Sequence, residues 1–265
     1  MYSSFQLARK YFSFYLSAKN GKGHGVHSPF VFDFIIHILN DKKQYDCYPL
    51  IESLRRKLLR DPTVIEVEDF GAGSAVIQSK ARRVKDIAAS SLKKKKYARL
   101  LFRICRYYQI RNVIELGTSF GITTCYLASA HPDSRVITME GSPAIAGIAR
   151  NTFRNAGLQG IELIEGDFAQ MLPRAMEGSG KAGMVFIDGN HRKEATLEYF
   201  RIFLEKSDTG SVFIFDDIHW SEGMEEAWKE IREHDAVTMT IDLFFIGLVF
   251  FSRDFKVRQH FSIRF

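Results

Sequence analysis

From residue 111 onward, short apolar runs alternate with longer amphipathic stretches. Apolar runs bounded by turn formers read as buried strands, whereas apolar positions three and four apart read as helices packed by one face. The pattern predicts strands at 112–116, 135–140, 161–165, 183–188 and 210–216. Helices are predicted between them, near 121–131, 143–156, 168–177 and 191–206. A helix near 221–234 precedes Ala236–Ile241 and Phe245–Phe251, which read as a closing strand pair. Regular strand–helix alternation of this kind predicts an α/β fold, doubly wound about a parallel sheet.

The first 110 residues are patterned differently. Phe5, Leu7, Tyr11, Phe12, Phe14, Tyr15 and Leu16 recur at near-helical spacing over residues 2–18. A helix packed on the main domain is the reading taken, the alternative being an interfacial helix or a lid over a substrate pocket. A glycine-rich loop then ends at Ser28-Pro29, a helix start. Helices are predicted over 29–40, 49–60 and 83–108. Val64–Ser74 also runs from apolar residues into a glycine turn, but Gln78, Lys80, Arg82, Arg83 and Lys85 follow. That segment is too polar for a buried crossover helix, so 64–74 reads as a loop. The chain thus divides into a mainly helical N-terminal appendage, 1–110, a candidate cap over the substrate, and an α/β domain, 111–265.

Composition narrows the class. With 46% hydrophobic and 26% charged residues the chain can bury an ample core. Its longest apolar run, Phe244–Phe251, falls far short of the ~20 residues of a membrane span. Arg9 and Lys10 interrupt the leading aromatic stretch and no small-residue cleavage site follows, so no secretory signal is read. Cys47, Cys105 and Cys125 are odd in number and widely spaced, which predicts reduced thiols in a cytoplasmic protein. His24 and His27 have no further ligands near them at zinc-like spacing. Charge is uneven: residues 1–110 hold 21 Lys/Arg against 9 Asp/Glu, whereas 111–265 hold 16 against 22. Lys93–Lys96 could grip a phosphate backbone, but without interleaved aromatics it reads as a solvated face.

Candidate chemistry begins at Val113–Ala128. An apolar run ends at Glu115 and Gly117, the chain turns, and Gly121 opens an amphipathic segment. This is a strand, a tight turn and a helix start, where doubly wound folds hold a nucleotide. The Glu-x-Gly-x-x-x-Gly spacing lacks the third glycine of a pyrophosphate-binding turn, which suits a nucleoside ligand without phosphates. Glu115 is expected to put a carboxylate at the mouth. Glu140, 23 positions after Gly117, is placed to accept hydrogen bonds from ribose hydroxyls, or to cap the helix after Ser142-Pro143.

Glu115–Gly121 resembles the first motif of class I S-adenosylmethionine-dependent methyltransferases. Thr138–Ser142, Glu165–Phe168, Phe186–His191 and Phe215–Trp220 resemble that family's later motifs, in order. The resemblance spans roughly residues 110–252, a typical domain length of ~150 residues. It implies a Rossmann-like seven-stranded sheet of order 3-2-1-4-5-7-6 with strand 7 antiparallel. It also implies S-adenosyl-L-methionine as cofactor, with Glu115, Gly117, Thr118 and Asp188 toward the methionine end and Gly121 at the turn. Glu140 and Gly141 would meet the ribose, and Asp167 and Phe168 the adenine, with a cap on helix 168–177 as the other role for Asp167.

Asp188-Gly-Asn-His191 read with Asp216-Asp217 is similar to the metal-dependent small-molecule O-methyltransferases, of the catechol and macrolide-sugar kind. In such a sheet Asp188, Asp216 and Asp217 meet at one carboxyl edge, where a divalent cation, Mg2+ first, would offset their repulsion. By the resemblance His191 is the general base. His219 and Trp220 either line the substrate pocket or anchor the following helix. The expected activity is O-methylation of a small hydroxylated molecule. The rivals are an RNA or protein methyltransferase gripping its target through the basic N-terminal region, and a non-catalytic binding protein on the same scaffold.

Overall fold

The computed structural model describes residues 1–67, 81–176 and 180–265. The first part of the chain forms α1 (Ser4–Ser17), α2 (Pro29–Phe34) with a π-helical turn at Ile35–Leu39, and α3 (Cys47–Leu58). Then come β1 (Val64–Glu66), β2 (Ala81–Arg83), α4 (Val84–Ser91) and α5 (Lys95–Tyr107). The alternating part runs β3 (Asn112–Leu116), α6 (Ile122–Ala128), β4 (Arg135–Glu140), α7 (Pro143–Asn155), β5 (Ile161–Glu165) and α8 (Phe168–Met176). It continues with β6 (Met184–Ile187), α9 (Lys193–Leu204), β7 (Val212–Asp216) and α10 (Glu222–Glu233). The chain closes with β8 (Met239–Asp242), β9 (Ile246–Phe250) and β10 (Gln259–Ser262). The architecture is mixed α/β with mostly parallel strands, as the alternation predicts. Among the described residues no helix is long and apolar enough to cross a membrane.

Two compact units share these elements, cut at 41/42 and 179/180 rather than at 110/111. Residues 42–179 contain β3, β4 and β5, in parallel register with β4 central. The same unit holds α3, α4 and α5, so this part of the helical appendage packs with the first strands. Tyr48, Phe102 and Tyr126 meet edge to face there, with Phe102 5.2 Å and Tyr126 5.4 Å from Tyr48. The Tyr126 hydroxyl donates to Glu52 at 2.8 Å, satisfying both buried groups.

The other unit joins residues 1–41 to 180–265. Its strands pair in the order β6-β7-β9-β8-β10, with β6–β7 and β8–β10 parallel and the two β9 pairings antiparallel. Taken separately, the two strand sets follow the 3-2-1 and 4-5-7-6 portions of the expected order. Strand β10 adds to it. Its Gln-His-Phe-Ser sequence is too polar to announce a strand, and its pairing is tertiary. The tail beyond it returns to the first part of the chain, where Arg264 N–H donates to the Lys19 carbonyl at 3.0 Å.

Two expected elements differ. The helix expected over 83–108 breaks between α4 and α5. Ser90 and Ser91 hydroxyls fold back on the carbonyls of Asp86 and Ile87, and the Lys93 carbonyl accepts from Arg55 instead of continuing a helix. The loop expected over 64–74 begins with β1, paired antiparallel to β2, and its remainder from residue 68 lies outside the described residues.

Gly121 is the residue that lets β3 turn into α6. Its φ is +78°, and an added Cβ would sit 2.3 Å from the Phe153 ring of α7. Gly121→Ala should therefore destabilise the protein by roughly 2–4 kcal/mol, combining left-handed strain with overpacking. Urea unfolding would measure this, and a change under about 0.5 kcal/mol, the scale of a neutral surface substitution, would contradict it.

Candidate active site and metal centre

Each unit carries its own set of chemistry-bearing residues. In the unit of residues 42–179, Glu115 is fully buried, not at the mouth as expected. Its Oε2 accepts from Thr124 of α6 at 2.5 Å and from Thr138 of β4 at 2.7 Å. Thr138 also meets the Thr118 hydroxyl at 2.6 Å. The carboxylate thus ties strand, turn and helix together from inside. The sequence signal for this role is the threonines, which offer hydroxyl donors where a buried acid needs them.

Above that knot the turn is held by backbone. Gly117 and Thr118 N–H groups donate to the Met139 carbonyl at 3.1 and 3.0 Å, and Gly121 N–H to Thr118. Gly117 and Ser119 both have positive φ, 100° and 49°. Glu140, half-buried at the end of β4, accepts from Ser119 N–H at 2.9 Å and from Ser142 N–H at 3.0 Å. Its carboxylate therefore clasps the turn and the start of α7 at once, with Gly141 between. Two ionised oxygens offer about four acceptor sites, so these bonds are compatible with a ribose diol as a further donor. Asp167 accepts from Ala169 N–H at 3.0 Å, the bond of a helix cap at the start of α8. Phe168 follows it, half-exposed.

In the other unit, β6 and β7 run parallel with Ile187 opposite Phe215, so Asp188 and Asp216 follow at neighbouring carboxyl ends. Asp188, His191 and Asp216 offer one ligand atom each, all within 4.8 Å of one another. His191 Nε2 lies 3.9 Å from Asp188 Oδ1. This is the group of His, Cys, Asp and Glu side chains that could hold a metal ion among the described residues, and it takes His191 where the sequence suggested Asp217. Two carboxylate oxygens and an imidazole nitrogen fit a divalent cation by charge and by ligand chemistry. His24 and His27 form no such group.

The backbone explains the separation of Asp216 from Asp217. Asp216 ends β7 and is buried, whereas Asp217 has φ +53° and donates its N–H to the Phe245 carbonyl at 2.7 Å. The left-handed turn takes the chain out of the strand direction at that residue. Asn190, also left-handed at φ +50°, does the same before His191. Its amide is held by the Tyr199 hydroxyl at 3.1 Å and by Arg192 Nε at 2.7 Å. Asn190 and Tyr199 are therefore positioning residues for His191, and no sequence spacing announced Tyr199.

His219 belongs to a second polar cluster. Its Nδ1 lies 3.0 Å from Glu225 and its Nε2 2.9 Å from Asp242, while the ring stacks on Phe244. Glu225 also accepts from Tyr2 and Lys10, both at 2.8 Å, so α1 is fastened to this unit by charge. Trp220 is half-exposed, and the core tryptophan is Trp228, packed over Gly247. Burial disfavours the His219 imidazolium, but hydrogen bonds and charge from Asp242 and then Glu225 outweigh it and raise the pKa. Burial likewise opposes the Glu225 carboxylate, and Lys10, Tyr2 and His219 together lower its pKa.

The sign of the linkage follows. The raised His219 pKa stabilises the fold fully below the unfolded histidine value, and that contribution is lost as pH rises through the folded value. His219→Gln should therefore cost most stability near about pH 5.5 and much less near about pH 9. Paired urea titrations on the chelator-treated protein would read this, and a loss that grows with pH would contradict it.

Comparison with known proteins places this geometry. Residues 114–218 match the family model described as a methyltransferase domain. A catechol O-methyltransferase of Niastella koreensis is 34% identical over 126 residues, 46% of this chain and 55% of that protein. A catechol O-methyltransferase of Mycobacterium tuberculosis is 31% identical over 153 residues, 57% of this chain and 66% of that protein. The chain thus spans just over half to about two thirds of the length of these relatives. Among solved structures, the O-methyltransferase TomG of Streptomyces achromogenes, in complex with S-adenosylmethionine, aligns with TM-score 0.55 at 24% identity. That alignment covers 62% of this chain and 82% of TomG. A Podospora anserina methyltransferase bound to S-adenosylhomocysteine aligns with TM-score 0.59 at 12% identity, over 95% and 97% of the two chains.

Proposed function

We propose that this chain, whose residues 114–218 match the model of a methyltransferase domain, is a class I S-adenosylmethionine-dependent, metal-assisted O-methyltransferase acting on a small hydroxylated molecule. The observation that carries the proposal is the meeting of Asp188, His191 and Asp216 at the carboxyl ends of two parallel strands. The curated relatives named catechol O-methyltransferases support an acceptor with neighbouring hydroxyls. In this reading residues 111–265 form the catalytic domain and 1–110 the appendage that shapes the acceptor pocket.

When bound, S-adenosylmethionine supplies an electrophilic methyl group, so the protein need only align it and control charge. Glu140 and Gly141 would hold the ribose, Phe168 the adenine face, and Gly117, Thr118 and Gly121 the turn beneath the cofactor. Asp188 would serve both the cofactor and the metal. Glu115 acts from within, keeping the turn in shape through Thr124 and Thr138. Asp167 contributes by starting α8 beside Phe168. When bound, a divalent cation offsets the carboxylates of Asp188 and Asp216 and lowers the pKa of an acceptor hydroxyl. His191, oriented by Asn190, would take the acceptor's proton.

A second reading has a specific observation behind it: a ring nitrogen of His191 lies within 4.8 Å of an oxygen of each carboxylate, close enough to share one ion. It would then bind the cation itself, which favours manganese over magnesium, since imidazole is a poor partner for the harder ion. Manganese electron paramagnetic resonance separates the two. A nitrogen hyperfine coupling lost in His191→Gln identifies a ligand, and its absence leaves His191 as the base.

Two expected outcomes test the main proposal. Glu140→Ala should weaken S-adenosylhomocysteine binding by about 1.5–3 kcal/mol, the scale of a charged hydrogen bond, read by calorimetry. Asp216→Asn should leave that affinity within a few tenths of a kcal/mol, because Asp216 is assigned to the cation and not to the cofactor. For manganese the order reverses: Asp216→Asn should abolish most of the affinity, whereas Asp217→Ala should weaken it less. Tighter binding of a nicotinamide dinucleotide, or manganese binding indifferent to Asp216→Asn, would refute the assignment.

A further inference from the structure

The outward face of α1 has no role in the site just described. None of its residues is fully buried. The inward face is fixed: Lys10 pairs with Glu225, Tyr11 and Phe14 meet Phe244, and Phe14 also approaches His219. The opposite face carries Phe5, Phe12 and Leu16, which fall within roughly 40° of one another by the helical repeat, and Met1 precedes the helix. Met1, Phe5, Phe12 and Leu16 are 63%, 79%, 63% and 64% exposed. A contiguous stripe of large apolar groups on a helix already folded, with a complete capping box at Ser3 and Gln6, marks an interaction surface.

Charge selects the occupant. From Met1 to Phe32 the chain carries Arg9, Lys10, Lys19 and Lys22 and no Asp or Glu. Lys10 is engaged with Glu225, while Arg9, Lys19 and Lys22 are exposed around the stripe. A second copy docked through this face would bring like charges together. An apolar face on a segment whose own charges are all positive complements an anionic bilayer, with rings and Leu16 entering the acyl boundary and basic groups at the headgroups. Tyr15, lying under the Arg264 guanidinium at 4.5 Å, sits at the edge of the stripe, where an amphipathic ring suits the interface.

We propose that the outward face of α1 is a docking surface for an anionic lipid bilayer, binding it reversibly and in the plane of the interface. Sedimentation of the full chain with phosphatidylcholine vesicles, with and without phosphatidylserine, tests this. The protein should pellet with the anionic vesicles, much less with neutral ones, and be released by salt. Phe5→Ser/Phe12→Ser should weaken binding at least about tenfold from lost apolar burial. Arg9→Gln/Lys19→Gln should weaken it about fivefold per charge, on anionic vesicles only. Both variants should keep the wild-type circular dichroism and urea midpoint, since the altered side chains are exposed. Wild-type protein remaining in the supernatant with both vesicle types would overturn the proposal, as would equal binding to neutral vesicles. Sedimentation velocity showing a dimer that Phe5→Ser/Phe12→Ser dissolves would also overturn it and assign the face to a second copy.

Discussion

Two carboxylates at neighbouring strand ends impose the governing constraint on this protein. Asp188 and Asp216 are brought together because β6 and β7 are parallel and in register, and the sheet cannot move one without the other. Like charges at that spacing, one of them buried, call for a compensating positive group. His191 approaches Asp188, and its place is set by a left-handed Asn190 held from two sides. Left-handed strain thus follows each acid, at Asn190 two residues after Asp188 and at Asp217 directly after Asp216. Such strain persists where the surrounding structure over-determines it, which β6, β7 and β9 do here.

The turn after β3 solves a different problem by the same economy of parts. It must present backbone toward a ligand and remain rigid without a phosphate to grip. Glu115 below, Glu140 above and Phe153 against Gly121 hold it from three directions. A buried acid whose Oε2 accepts from two threonine hydroxyls is a stiff element, because those hydroxyls would lose their partner if the turn shifted. The turn therefore arrives pre-organised, which lowers the entropic cost of binding.

Much of this was legible in the sequence, for reasons that can be named. Strands β3 to β7 are dense apolar runs between turn formers, and their ends carry the acids that mark the carboxyl edge. The Glu-x-Gly-x-x-x-Gly spacing revealed the turn because Gly121 alone tolerates its φ and the Phe153 contact. What sequence spacing could not supply was direction. Glu115 points inward because its hydroxyl partners lie on α6 and β4, which the fold brings together around β3. Asp217 leaves the metal group through a single left-handed residue. Strand β10, the helix break after Ser91 and the His219 cluster all depend on partners far along the chain, which local patterning does not encode.

If Asp188 and Asp216 hold the proposed cation, methyl transfer needs it. The decisive measurement is radiolabelled methyl transfer from S-adenosylmethionine to a catechol, in single turnover and with all divalent ions chelated. Transfer should fall by about a hundredfold, if the cation supplies ~3 kcal/mol of transition-state stabilisation, and return on adding manganese or magnesium. Undiminished transfer in the chelated protein would contradict it and leave His191 as the sole activating group.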